Sequence, residues 1–229
     1  MSLRKRIEKS EFLAAVLAGI AGRYLAFCNR TTTWDVEGLD ELRAALAEGP
    51  VLLVMWHSRS IMGALHWPVA DGPLSSLYDR SPIGRVSGAL QRRAGLQPIE
   101  MSRKTSNLAA SRLVLRRARM GVSIGMTGDG PLGPNLKVKD APLEWARATG
   151  LPIFCYAFST TKGRRLKTWD AMLTPRPFGK GAYVFKRYSG SVSRKPESSE
   201  IEALRTGLRL SMNETMKRAD HLAGVSPGI

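Results

Sequence analysis

The sequence predicts an α/β domain with a mixed central β-sheet flanked by helices. Apolar runs of strand length recur along the chain and alternate with segments whose apolar residues repeat at helical spacing. The strand-like runs are residues 33–37, 51–56, 75–78, 122–127, 152–158, 169–173 and 182–188. Run 51–56 has no alternating polar residues, which indicates a central strand buried on both faces.

Helical patterns separate several of these strands, and a further one lies near the end of the chain. They cover residues 39–47, 82–94, 106–120, 138–149 and about 197–217. In the last pattern Ile201, Leu204, Leu208 and Met212 recur at helical spacing, so we expect this helix to pack on the core. A chain of 229 residues is long enough for one large α/β domain and short for two.

The N-terminal segment has its own character. Residues 12–28 are largely apolar, interrupted by Arg23, and four basic residues lie within residues 2–10. The small-residue cleavage site of a signal peptide is not evident, and the segment is short for a spanning helix. Two predictions stay open: an interfacial helix with a basic flank on anionic headgroups, or a helix packed on its own domain. We therefore separate residues 1–30, a membrane-associating helix, from the domain of residues 31–229.

Charge narrows the choice of partner. The chain has 35 Lys and Arg against 19 Asp and Glu, a net charge of +16, which implies an anionic partner such as an anionic membrane surface, a phosphorylated substrate, an acidic carrier protein or nucleic acid. No nucleic acid is expected, because no helix-turn-helix, zinc-finger or RNP-type signature occurs. Cys28 and Cys155 lack the spacing of a metal site, and the histidines are scattered, so no metal and no cofactor are predicted.

The first candidate site motif is Trp56-His57-Ser58-Arg59, directly after the predicted central strand. Sheets of this class place their sites at the carboxyl ends of strands. Histidine titrates near neutral pH, so His57 is suited to accept a proton from a hydroxyl. The alternative is a histidine that caps the strand or bonds to a backbone group.

The second candidate motif is Thr127-Gly128-Asp129-Gly130-Pro131-Leu132-Gly133-Pro134, again just after an apolar strand. Two Gly-Pro turns within eight residues fix an unusual backbone path, and glycines let a ligand approach the backbone closely. The motif lacks the Lys and Ser or Thr of a phosphate-binding P-loop. The alternative is a rigid turn without chemistry.

Five motifs occur in order along the chain: Trp56-His57-Ser58-Arg59, Asp129-Gly130-Pro131-Leu132-Gly133-Pro134, Gly150-Leu151-Pro152-Ile153, Trp169-Asp170, and residues 175–178. In this order they resemble a bacterial branch of the lysophospholipid acyltransferase superfamily, the branch that includes Kdo-independent secondary acyltransferases of lipid A. The resemblance covers about residues 31–190. It implies that residues 31–229 form an acyltransferase-like domain, although it assigns no role to Trp169 or Asp170.

The resemblance implies acyl transfer from a thioester, acyl-carrier protein or acyl-coenzyme A, to a hydroxyl of a lysophospholipid or a lipid A-type acceptor. In the superfamily the histidine of the first motif is the general base, which implies that role for His57. An acidic residue five positions later usually orients that histidine, but Met62 stands there. We favour Asp129 as the catalytic partner of His57. The other role for Asp129 is contact with the acceptor's hydroxyl or headgroup.

The resemblance also implies an arginine that binds the acceptor's phosphate. The matching region is residues 101–106, where Arg103, supported by Lys104, lies ahead of a predicted helix. The alternative is that these are solvated surface charges. Arg59, Gly130, Pro131 and Gly133 are the other expected substrate-binding residues. Backbone N–H groups near residues 130–133 are the candidate donors to the oxyanion.

The resulting expectation is an enzyme on the cytoplasmic face of the inner membrane, docked by its N-terminal helix. The rival hypothesis is a non-catalytic membrane-binding protein that retains the fold, and Met62 is its best support.

Overall fold

The computed structural model describes residues 10–101, 108–190 and 198–226 of the chain. The described helices are α1 (Glu11–Thr31), α2 (Leu39–Glu48), α3 (Gly63–His66), α4 (Pro82–Arg93), α5 (Leu108–Arg119), α6 (Asp140–Thr149) and α7 (Ser198–Leu222). The strands are β1 (Thr33–Glu37), β2 (Leu52–Met55), β3 (Leu74–Asp79), β4 (Ile99–Met101), β5 (Ser123–Thr127), β6 (Ile153–Thr160), β7 (Gly163–Arg165), β8 (Leu173–Pro175) and β9 (Lys180–Arg187). A 3₁₀ turn, His57–Arg59, follows β2.

The described strands form a seven-stranded sheet in the order β1-β9-β6-β2-β5-β3-β4, and β7 pairs with β8 in a separate ribbon. The five neighbouring strands from β6 to β4 are parallel. Strand β9 runs antiparallel to β6, and β1 runs parallel to β9. The sheet is therefore mixed and flanked by helices, which confirms the predicted fold class.

The side chains of β2 alternate between two apolar cores, one on each face of the sheet. Leu52 and Val54 belong to a core that α5, α6 and α7 cover. Leu53 and Met55 belong to a core to which α1, α2 and α4 contribute. Because strand side chains point to opposite faces in turn, a central strand between two cores must be apolar throughout, and all four residues of β2 are buried.

One predicted strand is wrong, and two short strands were not predicted. Residues 169–173 were expected to be a strand, but the strand here begins at Leu173, and Trp169 and Asp170 lie in the loop before it. Strands β4 and β7 have three residues each, too few for an alternating pattern to stand out. The four-residue helix α3 was not predicted either. The other elements coincide with predicted ones to within about five residues at their ends, within the part of the chain that the structure describes.

Helix α1 has two different faces. Ser10 caps its start by accepting a hydrogen bond from the N–H of Leu13 at 3.1 Å. Ala14, Ala18, Leu25 and Cys28 are buried against the domain. The exposed face carries a set of large side chains that we call the apolar stripe: Phe12, Val16, Ile20, Tyr24 and Phe27.

The expected packing of this segment on its own domain is confirmed for one face of α1, and the other face leaves the apolar stripe exposed. The segment Phe12–Thr31 is also long and apolar enough to cross a membrane, by length and composition alone.

The end of α1 holds the loop between β8 and β9. The hydroxyl of Tyr24 donates to the carbonyl oxygen of Pro175 at 3.0 Å. The N–H of Phe178 donates to the hydroxyl oxygen of Thr31 at 3.2 Å. The rings of Phe27 and Phe178 meet edge to face, with centroids 5.6 Å apart. The apolar stripe therefore continues from α1 onto this loop.

Candidate active site

The carboxyl ends of β2 and β5 bring the two predicted motifs together. The strands are parallel neighbours, with Met55 paired to Thr127, so the residues that follow them emerge at the same edge of the sheet. His57 follows β2 in the 3₁₀ turn, and Asp129 follows β5. This edge is where open α/β sheets bind ligands.

Asp170 orients the ring of His57. Its Oδ2 lies 2.7 Å from Nδ1 of His57, and its side chain is nearly fully buried, whereas that of His57 is 28% exposed. Burial by itself raises the pKa of Asp170, but hydrogen bonds from Thr168 and His57 outweigh it, so the pKa of this carboxyl is lowered. An ionised carboxylate only accepts hydrogen bonds, so Nδ1 of His57 carries the proton and the lone pair lies on Nε2.

Asp129 holds the backbone rather than the ring, so the prediction that it orients the imidazole is wrong. Its Oδ1 accepts a hydrogen bond from the backbone N–H of His57 at 3.0 Å, and its Oδ2 accepts a longer one from Leu136 at 3.4 Å. The side chain is fully buried, and burial raises its pKa despite these two bonds. Asp129 therefore joins the two motifs by fixing the turn that presents His57.

The Gly-Pro loop also reaches His57, through Trp169. Gly133 has a left-handed φ of 66°, and a Cβ placed there would lie 2.6 Å from Cε3 of Trp169. The indole in turn packs on the imidazole of His57, with ring centroids 5.2 Å apart. Only glycine allows this close approach at a positive φ. The bond from Gly133 to Pro134 is cis, and Gly130 and the exposed Pro131 form the outer part of the loop.

Arg59 is a structural residue, and its predicted contact with substrate is wrong. Its side chain is fully buried and forms a bidentate ion pair with Asp220 of α7, in which Nη1 lies 2.8 Å from Oδ1 and Nη2 lies 2.9 Å from Oδ2. It also donates to the carbonyl oxygen of Phe158 at 2.9 Å, and Ser159 donates to Asp220 at 2.6 Å. The two terminal nitrogens of the guanidinium are thus held by protein oxygens, and they tie the His57 turn to β6 and α7.

Met62, at the position of the usual acidic partner, is fully buried in the core beneath α1 and α2. A carboxylate there would be surrounded by apolar side chains, at a large desolvation cost. His66, one turn further, is also internal. Its Nδ1 lies 2.8 Å from the hydroxyl oxygen of Tyr156, and burial lowers its pKa to about 3. His66 is a packed core residue.

Arg103 and Lys104, the predicted phosphate-binding residues, lie outside the described residues. They follow Met101, the last residue of β4, whose carboxyl end belongs to the same edge of the sheet as His57. Arg80, which follows β3 at this edge, forms an ion pair with Glu100. Among the described residues, no three His, Cys, Asp or Glu side chains are grouped as metal ligands.

Sequence reasoning missed Asp170, although the pair Trp169-Asp170 was one of the five motifs. The apolar residues around it suggested a strand, in which a carboxylate has no evident partner. The available signal was the resemblance itself, because a buried aspartate within a shared motif needs a partner, and His57 lacked one. Nothing local in the sequence joins residues 113 positions apart.

Comparison with known proteins gives one relative and no activity. No protein-family model matches the sequence. An uncharacterized protein of Rickettsia prowazekii (strain Madrid E) is 29% identical to this chain over 182 residues, which cover 78% of this chain and 82% of that protein. Since that relative is itself uncharacterized, the similarity carries no activity over to this chain.

Proposed function

We propose that this protein is a membrane-associated O-acyltransferase that moves a fatty acyl group from a thioester to a hydroxyl of a lipid. The observation that carries the proposal is the 2.7 Å contact between His57 Nδ1 and the buried carboxylate of Asp170. A histidine whose Nδ1–H is held by a carboxylate is the general base of the Ser-His-Asp arrangement, where the nucleophile is also a hydroxyl. Here the hydroxyl belongs to the acceptor.

The reaction follows from this arrangement. Nε2 of His57 takes the proton of the acceptor hydroxyl while the oxygen attacks the thioester carbonyl carbon, which forms the new C–O bond and an oxyanion. Collapse of this intermediate breaks the C–S bond, and the leaving thiolate takes the proton back from the imidazolium. Asp170 stabilises the imidazolium between the two steps. Backbone N–H groups between Gly130 and Gly133 are the candidate donors to the oxyanion.

Positioning supplies much of the rate in such a transfer, because both substrates must meet at one base. The Trp169 indole packs on the His57 ring and on Gly133, so it restrains the base and the Gly-Pro loop together. Asp129 fixes the backbone of His57 from the other side. The contact of Gly130, Pro131 and Gly133 with substrate is part of this proposal, as is phosphate binding by Arg103 and Lys104.

The membrane supplies the acceptor in this proposal. The apolar stripe of α1 and the 64% exposed Phe178 form a continuous apolar surface, which suits the acyl region of a bilayer. The net charge of +16 suits anionic headgroups, and the cytoplasmic face of the inner membrane is the location that we propose. The acceptor is a lysophospholipid or a lipid A precursor, and the donor is acyl-carrier protein or coenzyme A loaded with a fatty acid.

The decisive experiment is acyl transfer measured by mass spectrometry. Wild-type protein in mixed vesicles is supplied with each donor and a panel of lysophospholipids and lipid A precursors. We expect one acylated lipid that His57→Ala does not make. His221→Ala is the matched control, because that histidine lies in the last turn of α7 and is exposed.

Absence of product with every pair, while wild-type protein still binds vesicles, would favour the rival hypothesis of a non-catalytic membrane protein. Equal loss in both histidine variants would argue against His57 as the base.

A further inference from the structure

A second candidate site lies between α1 and α4, apart from the His57–Asp170 pair. A cavity of about 310 Å³ opens there. Its described lining is Ala14, Ala15, Tyr78, Arg85, Ala89, Arg92 and Arg93. Three of the seven lining residues are arginines and none of the seven is a carboxylate, so the charged side chains of the lining are all cationic.

The packing of α1 on α4 brings the arginines to the membrane-facing helix. A Cβ placed on Gly22 of α1 would lie 3.0 Å from Cδ1 of Leu90. A Cβ placed on Gly19 would lie 3.8 Å from the guanidinium carbon of Arg93. Small residues on this side of α1 therefore let α4 approach closely, and the Arg93 side chain lies along α1. The guanidinium carbon of Arg92 lies 5.5 Å from the centre of the Tyr78 ring, a cation–π contact that restrains it.

Arg92 and Arg93 have no ion pair with a carboxylate in the described part of the chain. Both are exposed, in contrast to Arg59, whose charge is neutralised by Asp220. Both side chains line the same cavity, where an anion would pair with them, and phosphate oxygens fit the planar fork of arginine.

The cavity also adjoins the apolar stripe. By the helical period, Ala15 lies between the buried face of Ala14 and the stripe that begins with Phe12 and Val16. A ligand in the cavity thus meets cationic side chains at one end and exposed apolar side chains at the other. This combination fits an amphiphile with an anionic head.

We propose that this cavity binds the phosphate headgroup of an anionic lipid whose acyl chains lie along the apolar stripe. The proposal rests on the part of the proposed function that places α1 at a membrane, and it names the lipid chemistry that α1 recognises. Tyr78 lies in β3, whose carboxyl end is at the same edge of the sheet as His57. Headgroup binding therefore brings the bilayer to the edge of the sheet that carries the candidate active site.

Vesicle binding tests the proposal without an acyl donor, so its outcome is independent of acyl transfer. The probes are phosphatidylcholine vesicles with and without phosphatidylglycerol, at low ionic strength. We expect Arg92→Gln/Arg93→Gln to weaken binding to the phosphatidylglycerol vesicles by on the order of tenfold to thirtyfold. The matched control is Arg112→Gln/Arg116→Gln, which removes the same charge from exposed positions of α5, on the other face of the sheet.

Calorimetry with a short-chain, water-soluble phosphatidylglycerol and with glycerol 3-phosphate separates a lipid site from a site for soluble phosphate. We expect one short-chain lipid to bind per wild-type chain, and the Arg92→Gln/Arg93→Gln variant to lose it. Tighter binding of glycerol 3-phosphate than of the lipid would overturn the lipid assignment. Equal weakening of vesicle binding in both double variants, or no binding by the wild type, would overturn the site itself.

Discussion

The carboxylate of Asp170 accepts a hydrogen bond from Nδ1 of His57, across 113 positions of sequence, at 2.7 Å. The other oxygen of the carboxylate accepts from the Thr168 hydroxyl, so both oxygens have a defined partner. Because the carboxylate is buried and ionised, it fixes both the tautomer and the orientation of the imidazole. The chain thus has a histidine–aspartate pair whose two members lie far apart in the sequence.

Replacement of Asp170 by Asn removes the charge that stabilises a protonated His57. We expect Asp170→Asn to lower kcat for acyl transfer by about 10²–10⁴-fold, with a smaller change in KM. Asp40→Asn, at a side chain that is 98% exposed, is the control for an equal change of charge. Asp129→Asn keeps an oxygen for the His57 N–H and should lose far less activity than Asp170→Asn. The opposite ranking, measured by steady-state kinetics, would return the catalytic role to Asp129.

We expect that Gly133 does not tolerate a side chain, because its φ is positive and because an added Cβ would clash with Trp169. Gly133→Ala introduces a Cβ at a positive φ and drives it against Trp169, which displaces the indole from His57. Gly121→Ala is the matched control, because its φ is 80° and nothing lies within 4 Å of the added Cβ. Both variants carry about 1–2 kcal/mol of backbone strain. Only Gly133→Ala should also lower kcat and shift the tryptophan emission. Equal kinetics of the two variants would contradict the packing role of Trp169.

The ion pair of Arg59 and Asp220 is expected to act on stability. Arg59→Met leaves the buried Asp220 without its cation, which should lower the free energy of unfolding by about 3–5 kcal/mol in urea titrations. Arg59→Met/Asp220→Leu removes both charges and should recover a large part of this loss, because no buried charge stays unpaired. A double variant that is as unstable as the single one would mean that the packing, and not the unpaired charge, accounts for the loss.

His66 should make stability depend on acid pH. Its pKa is about 3 in the folded protein because of burial, whereas an unfolded histidine titrates near 6.5. The unfolded chain therefore binds the proton first, so stability is full above pH 6.5 and falls by up to about 1.4 kcal/mol per unit toward pH 3. His66→Gln should lack this component. Tyr156 and Tyr183 face the imidazole and stay uncharged in this window. Parallel stability curves for the two proteins from pH 7 to 4 would refute this assignment.

The sequence was sufficient for the parts of the fold that depend on local patterns. The unbroken apolar run before His57 predicted the central strand, because a strand between two cores cannot carry polar side chains. The polar residues that follow this run predicted the edge of the sheet at which the candidate site lies. Closeness in sequence to His57 gave a wrong prediction for Arg59, which was expected to contact substrate. Its side chain points into the interior and forms an ion pair with Asp220. A 3₁₀ turn changes side-chain direction at each residue, and sequence spacing does not reveal which residue faces the solvent.

The partner of His57 could not be derived in this way. Asp129 was favoured because it is the one carboxylate in the second motif, and the structure does place it beside His57, although at the backbone. Asp170 comes from a loop between two three-residue strands, whose path depends on tertiary packing rather than on periodicity. Contacts of high sequence separation are fixed by the whole fold, and a single sequence carries no local record of them.

The hydrogen bond from Tyr24 to Pro175 has a consequence for protein engineering. Pro175 lies five residues after Asp170, and the same loop is held again by Thr31 through Phe178. Deleting α1 to obtain a more soluble protein would therefore remove hydrogen bonds that hold the segment after Asp170 in place. Such a shortened protein should be inactive toward micellar or monomeric acceptors as well as toward vesicles. Solubility is better sought by substituting the outward-facing Phe12 and Ile20 with serine, which leaves Tyr24 and Thr31 in place.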